Sequence, residues 1–534
     1  MLSPIVFPLL YYQICCKNVV GFFTSWSSYS GFSVTDIDPT KYTIVMYAFM
    51  NIDPNTNTCV LGDSYMDATK IFPGDNPFCN CCARGSLNQL FGLKKQYPYL
   101  KTMISIGGWT WSSNFNPVSS TSARRQAFAA SCIKIMTDYG LDGIDIDWEY
   151  PSSQNDVQNL IALLQEFRNQ MDSIDPQRYL LTMDSAPMPW YGGALDWLEI
   201  SQVVDWINIM TYEFSLDDKP WTRHNANLQS NSADPNAAII PYLSCVNSIN
   251  KFIGYGIPSN KLMLGIPVFG RVYANVTQGI SNGLYQMHDD GNNPSMISYK
   301  DIIDSSLDQS FQLYYDNISK ASYAYNNQSK QFITFDSVDS VIEKSLFANQ
   351  QNLAGLMFWE ISSDTNGANS SLAYTARNNV FGLDLTNDSS VYEPRSAFCN
   401  INGGLPARIV TSTILPTTST SLNKLSYTST TLILRFSIQT SNTLTSGVLS
   451  PNSKSTAIPI YSNSGQGDQM LLNNIEITTI SVGCSIVFAA ILGTIAFYRR
   501  RKLKARKIEI QYHKKITLGP TNVVSTKGLL SPNK

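Results

Sequence analysis

The chain has 534 residues and a net charge of −2. The length exceeds one small domain and suffices for a large barrel with appendages, and the charge balance excludes an electrostatic case for nucleic acid. Aromatic residues reach 11 %, which suits stacking on sugars but also suits a large core.

In chain order, "MLSPIVFPLLYYQICC" comes first. Residues 1–17 are apolar and read as the core of a secretion signal, although the basic start and small-residue cleavage site are missing. Short apolar runs then recur at Val19–Thr24, Tyr42–Phe49, Lys101–Ile106, Leu141–Asp147, Tyr179–Met183, Trp206–Met210, Leu262–Pro267 and Ala354–Phe358. Several are unbroken and β-branched, as expected of strands buried on both faces. Amphipathic stretches such as "TSARRQAFAASCIKIMTDYG" and "DVQNLIALLQEFRNQM" lie between them and predict helices. Strands alternating with helices over residues 18–402 predict a (β/α)8 TIM barrel. The excess over the ~250 residues of a plain barrel implies insertions. The largest, about 272–331, is rich in Gly, Asn, Tyr and Ser and falls between strands 7 and 8.

Ten cysteines are present, and Cys59, Cys79, Cys81 and Cys82 share one turn-rich region. Vicinal Cys81–Cys82 and the lack of nearby His disfavour zinc, so a loop disulfide in an extracellular setting is expected. The sequons at Asn275, Asn317, Asn327, Asn369 and Asn387 point the same way. No metal or other cofactor is expected.

Residues 403–475 are rich in Ser and Thr with scattered Pro and no sustained period, which reads as a disordered stalk. Residues 477–498 are uncharged and mostly apolar, and as a helix would span about 33 Å, enough to cross a bilayer. "RRRKLKARK" follows at once and marks the cytoplasmic side, leaving 499–534 as a cytoplasmic tail. The expectation is a single-pass membrane protein with its barrel outside the cell.

The stretch "YGLDGIDIDWEYP" places Asp142, Asp145, Asp147 and Glu149 in an apolar run. Buried carboxylates repel each other and lose hydration, so they do not serve a core. Strand alternation points Asp145, Asp147 and Glu149 the same way, while Asp142 starts the strand with opposite parity. In a barrel such an inward row ends at the C-terminal mouth, where mutual repulsion and burial keep one acid protonated. Glu149, outermost and longest, is the expected general acid. A metal cluster is disfavoured because the chain holds only three His.

"DGIDIDWE" resembles the D-x-x-D-x-D-x-E signature of glycoside hydrolase family 18, the chitinases. "SIGGW" at Ser105–Trp109 resembles the family's third-strand motif, "MTYEF" at Met210–Phe214 its sixth, "LGIPVFGR" at Leu264–Arg271 its seventh and "LMFWE" at Leu356–Glu360 its eighth. "HNANL" at His224–Leu228 also fits. The resemblance covers residues 18–400 and is closest to fungal and bacterial members with an α+β insertion before strand 8. It implies hydrolysis of β-1,4-linked N-acetylglucosamine polymers in which the substrate's own acetamido oxygen attacks the anomeric carbon, an exception to two-carboxylate hydrolysis. It also implies that Glu149 protonates the leaving oxygen, that Asp147 holds the acetamido N–H, that Asp145 tunes Asp147 and that Tyr212 bonds the acetamido oxygen.

Trp359 would floor the sugar site, with Met210, Glu213, Trp109 and Arg271 as further substrate contacts. Ser105, Gly107, Gly108 and Asp142 would support the acid row. Taken alone, Trp359 and Tyr212 fit core packing as well, Arg271 fits a structural ion pair, and Trp109 and Trp111 could pack beneath the cleft. Two departures stand out: Glu213 where the family usually has Asp, and Phe269 where Tyr is common. The alternatives are a chitin-binding lectin, argued against by the presence of Glu149, and an endo-β-N-acetylglucosaminidase acting on N-glycan cores.

Overall fold

The computed structural model describes residues 17–385 apart from 79–81, 189–192, 216–219, 236–242, 289–293, 304–309 and 381. By its internal contacts the chain divides into two units, Met1–Ser419 and Thr420–Lys534, and the described residues belong to the first. The predicted stalk, membrane helix and tail, and nearly all of the predicted signal segment, lie outside the described residues. Among the described residues no helix is long and apolar enough to cross a membrane.

Eight parallel strands close a barrel. They are strand 1 (Asn18–Thr24), strand 2 (Ile44–Asp53), strand 3 (Lys101–Gly107) and strand 4 (Gly143–Asp147), followed by strand 5 (Leu180–Ser185), strand 6 (Trp206–Ile209), strand 7 (Leu262–Pro267) and strand 8 (Gly355–Trp359). Each pairs with its neighbours in sequence, and strand 1 pairs with both strand 2 and strand 8, so no edge is left open. The predicted runs fall on these strands, with two shifts that matter below. Strand 2 runs on to Asp53, and strand 5 runs two residues past Met183.

The helices follow the predicted pattern where caps are strong. Thr121 caps Ser122–Asp138 by accepting from the Arg124 N–H, and Ser153 caps Gln154–Ile174 by accepting from the Asp156 N–H at 3.1 Å. Their buried faces, including Phe128, Cys132, Leu160, Leu164 and Phe167, pack on the outward rows of the strands. Strict alternation fails once: between strands 1 and 2 the described chain makes three short 3-10 turns instead of an α-helix. Gly31 at φ +90° and Pro39 punctuate that segment and break any longer helix.

The predicted insertion is a five-stranded antiparallel sheet that reaches slightly beyond 272–331. Its strands are Phe269–Tyr273, Ser295–Ser298, Gln312–Asp316, Ala321–Asn326 and Gln331–Phe335. It has its own small core of Tyr273, Val276, Leu284, Tyr323, Tyr325 and Phe332. The sequons Asn275, Asn317, Asn327 and Asn369 are exposed, and Asn387 lies outside the described residues.

The cysteine expectation needs one correction. Cys82 is disulfide-bonded, but Cys59 is a free, buried thiol on the short strand Thr58–Val60, next to Cys132 of the helix Ser122–Asp138. The hairpin leaving strand 2 carries Cys59 against the barrel's flank and away from the turn-rich loop. Among the described residues no cluster of His, Cys, Asp or Glu is arranged to hold a metal ion.

The chain's entry and exit meet at the N-terminal ends of the strands. Lys17 and Leu383 form a parallel bridge, the Lys17 N–H donates to the Gly382 carbonyl at 2.7 Å, and Lys101 pairs with Asp384 at 3.0 Å.

Candidate active site

The inward rows divide the barrel interior into two halves. From strands 7, 8, 1 and 2 come Met263, Met357, Val20, Phe22, Ile44, Met46 and Ala48. From strands 3 to 6 come Ser105, Asp145, Asp147, Thr182, Asp184 and Asn208. Polar side chains therefore face one another inside a barrel whose other wall is apolar.

Asp145 lies deepest and is fully buried. It accepts from Ser105 Oγ at 2.7 Å, Thr182 Oγ1 at 2.6 Å and Asn208 Nδ2 at 3.3 Å. Burial pushes its carboxyl up to about 6 despite these three donors. Asp147, one layer higher, is pushed well above the carboxylate range by burial and then by Glu149, Asp184 and Asp145. Its Oδ1 has no partner. Glu149 lies just beyond the strand end and is partly open to the mouth. Burial, with Glu213 adding to it, raises its carboxyl from 4.5 to about 7, against bonds donated by Tyr150 and the Trp109 N–H. The Glu149 N–H is itself held by Ser112 Oγ at 2.6 Å.

Glycines let the backbone close around this row. Gly107 (φ +105°) and Gly108 (φ +69°) take left-handed conformations at the end of strand 3. A Cβ on Gly107 would lie 2.5 Å from the Asp147 carbonyl, and one on Gly108 2.7 Å from the Phe49 ring.

Trp359 ends strand 8 and stacks on Phe49 at 5.6 Å, with Phe22 and Trp26 at its edges. Tyr212 and Met210 are buried beside it, and the Tyr212 ring meets Phe269 edge to face at 6.1 Å. Trp109 is 51 % exposed and lines the rim, while Trp111 is partly buried against the mouth cluster. Trp26, 47 % exposed, joins them although no motif drew attention to it.

Three expectations change in the structure. Asp142 is structural, but it does not brace the acid row: it sits at the opposite end of strand 4. There it meets Lys94 Nζ at 2.5 Å and Arg178 at 2.9 Å and accepts from the Thr102 N–H at 2.8 Å. Burial opposes ionisation, yet Lys94 and Arg178 hold its carboxyl below the usual range. Glu213 and Arg271, both expected to contact substrate, form an ion pair with each other. Asp184 was missed altogether. It belongs to the polar half, is 4 % exposed and leaves Oδ1 without a partner. Its signal was an isolated acid one residue beyond the predicted end of strand 5.

The comparisons agree with this arrangement. The family model "Glycosyl hydrolases family 18" matches residues 18–364. Chitinase A1 of Niallia circulans is 35 % identical over 65 % of this chain, which spans only 57 % of that relative. Chitinase 1 of Aphanocladium album is 34 % identical over 72 % of this chain and 90 % of its own length. The solved chitinase ChiA74 from Bacillus thuringiensis superposes with a TM-score of 0.63 at 30 % identity, covering 70 % of this chain and 71 % of that one. A closed parallel barrel, a buried acid row ending at its mouth and a family match through strand 8 lead to one conclusion: the chain belongs to glycoside hydrolase family 18.

Proposed function

We infer that the protein is a chitinase, hydrolysing β-1,4 linkages of N-acetylglucosamine polymers with participation of the substrate's acetamido group. The observation that carries the reading is the buried row Asp145–Asp147–Glu149, with no cation beside it among the described residues, beneath a mouth lined by Tyr212 and Trp359. An acid near 7 is protonated enough to donate to the leaving oxygen and ionised enough to activate water afterwards. Asp147, whose buried Oδ1 has no partner, accepts a hydrogen bond from the acetamido N–H. Attack from within the substrate is fast because the nucleophile is already positioned. Trp359 and Phe49 give the sugar an apolar floor.

Glu149→Gln tests this reading. The amide keeps the bonds from Tyr150 and the Trp109 N–H but cannot act as an acid, so turnover on chito-oligosaccharides should fall about a thousandfold with binding retained. The wild-type product should emerge as the β-anomer, because two inversions occur at the anomeric carbon. Near-normal turnover of the variant, or early α-anomer by NMR, contradicts the reading.

We further propose that residues 477–498 anchor the enzyme in a membrane with the barrel outside, as the basic run after Tyr498 favours. The exposed sequons fit an extracellular glycoprotein. Protease added to intact cells should remove the barrel and spare a C-terminal tag, and loss of the tag refutes the orientation.

A further inference from the structure

We propose that Asp184 is a fourth member of the acid cluster, a positioning residue that acts through Asp147 by keeping its neighbour's carboxyl from ionising. The proposal rests on the chitinase reading above, because it assigns a task within that acid row.

The register carries the argument. Asp145 lies beside Thr182 and Ile146 beside Met183, so the next residues, Asp147 and Asp184, stand side by side on the inner face. Neighbouring strands are about 5 Å apart, close enough for two carboxyls to interact directly. On its other side Asp184 lies level with Asn208 of strand 6. The Asn208 amide donates to Asp145 at 3.3 Å and stands level with Asp184, while its own oxygen accepts from Trp206 Nε1 at 3.0 Å. One amide therefore lies beside both carboxyls that flank Asp147, and the Oδ1 atoms of Asp147 and Asp184 are both left buried without a partner.

Among the described residues no positive charge relieves this crowding. The groups bearing on Asp147 and Asp184 are Asp145 from strand 4, Glu149 and Tyr150 just beyond it, and Tyr212 after strand 6, while Glu213 bears on Glu149, Tyr150 and Tyr212. Arg271, on the strand following strand 7, is taken up by Glu213. Burial and the negative charges of Asp145 and Glu149 hold the Asp184 carboxyl well above the usual range, and Asp184 in turn raises Asp147. Two like acids side by side cannot both ionise cheaply. Asp184 thus helps Asp147 retain its proton at a pH where an isolated aspartate has lost it.

The test is the pH profile of kcat/KM on a soluble chito-oligosaccharide, measured for wild type, Asp184→Asn, Asp184→Ser and Glu149→Gln. Both Asp184 variants should move the alkaline limb to lower pH by about half a unit or more, because Asp147 then ionises earlier. A merely structural Asp184 would lower thermal stability and leave the limb in place. A superimposable profile from folded variants overturns the proposal while leaving the chitinase reading intact. Full activity of Glu149→Gln overturns that reading instead. Should neither Asp184 variant fold, carbon-13 titration of aspartate carboxyls in the wild type decides. One member of the Asp147–Asp184 pair should keep its proton well above the ordinary aspartate range, and titration of every aspartate in that range refutes the pairing.

Discussion

Glu149→Gln should make the protein more stable at alkaline pH and no more stable in acid. The Glu149 carboxyl sits at about 7 when folded, against 4.5 when free, a difference of about 2.5. At 1.36 kcal/mol for each unit, the full penalty for ionising it in the folded protein is about 3 kcal/mol. The side chain is partly open to the mouth, so solvent reduces this to roughly 1–3 kcal/mol. The sign follows from proton binding. Between 4.5 and 7 the folded state holds a proton that the unfolded state has lost, so stability falls as pH rises through this window. Below it both states are protonated and no penalty exists. Glutamine cannot ionise and escapes the cost throughout. Urea unfolding of wild type and variant near pH 4 and near pH 8 measures the effect. A gain of equal size at both pH values, or none at pH 8, refutes the argument that burial, rather than local packing, sets the acidity of Glu149.

Asp142→Asn removes the counter-charge of buried Lys94 and of Arg178 and should cost about 3–5 kcal/mol in urea unfolding, with activity per folded molecule unchanged, since the group lies at the far end of strand 4 from the mouth. Equal activity loss and stability loss would place Asp142 in the site after all. Glu213→Ala should weaken productive binding by about 1–3 kcal/mol, read as a higher KM, because it frees Arg271 at the mouth as well as removing a carboxylate. Glu213→Asp should be tolerated, since short acids accept the left-handed backbone found there (φ +62°) better than long ones. An unchanged KM for Glu213→Ala would take the pair out of substrate binding.

The legible parts of the molecule were those written as local pattern. Strands buried on both faces appear as unbroken apolar runs, and an acid row with period two inside such a run has no structural purpose. Asp145, Asp147 and Glu149 could therefore be read directly. Asp184 could not, because its significance comes from lying level with Asp147 on the neighbouring strand, and register between strands is not encoded in either strand alone. The pairing of Glu213 with Arg271 is illegible for the same reason: 58 positions separate them, and only the insertion's first strand brings them together. Cys59 misled because proximity in sequence to Cys79, Cys81 and Cys82 looked like proximity in space, whereas a hairpin had already turned it toward Cys132. Asp142 shares its run with the acids but is separated from the mouth by the full length of the strand. Asp142 meets two cations, and among the described residues the acids of the row meet none.

The bridge between Lys17 and Leu383 has a practical meaning. Both segments meet at the pole of the barrel opposite the mouth. A resin, bead or reporter domain coupled to the described chain just after Asp384 would be attached behind the catalytic cleft, leaving its opening turned toward insoluble substrate. The same pole is the natural place to cut and rejoin the chain. Linking residue 17 to residue 384 through a short loop and opening new ends elsewhere should give a permuted enzyme whose mouth is untouched.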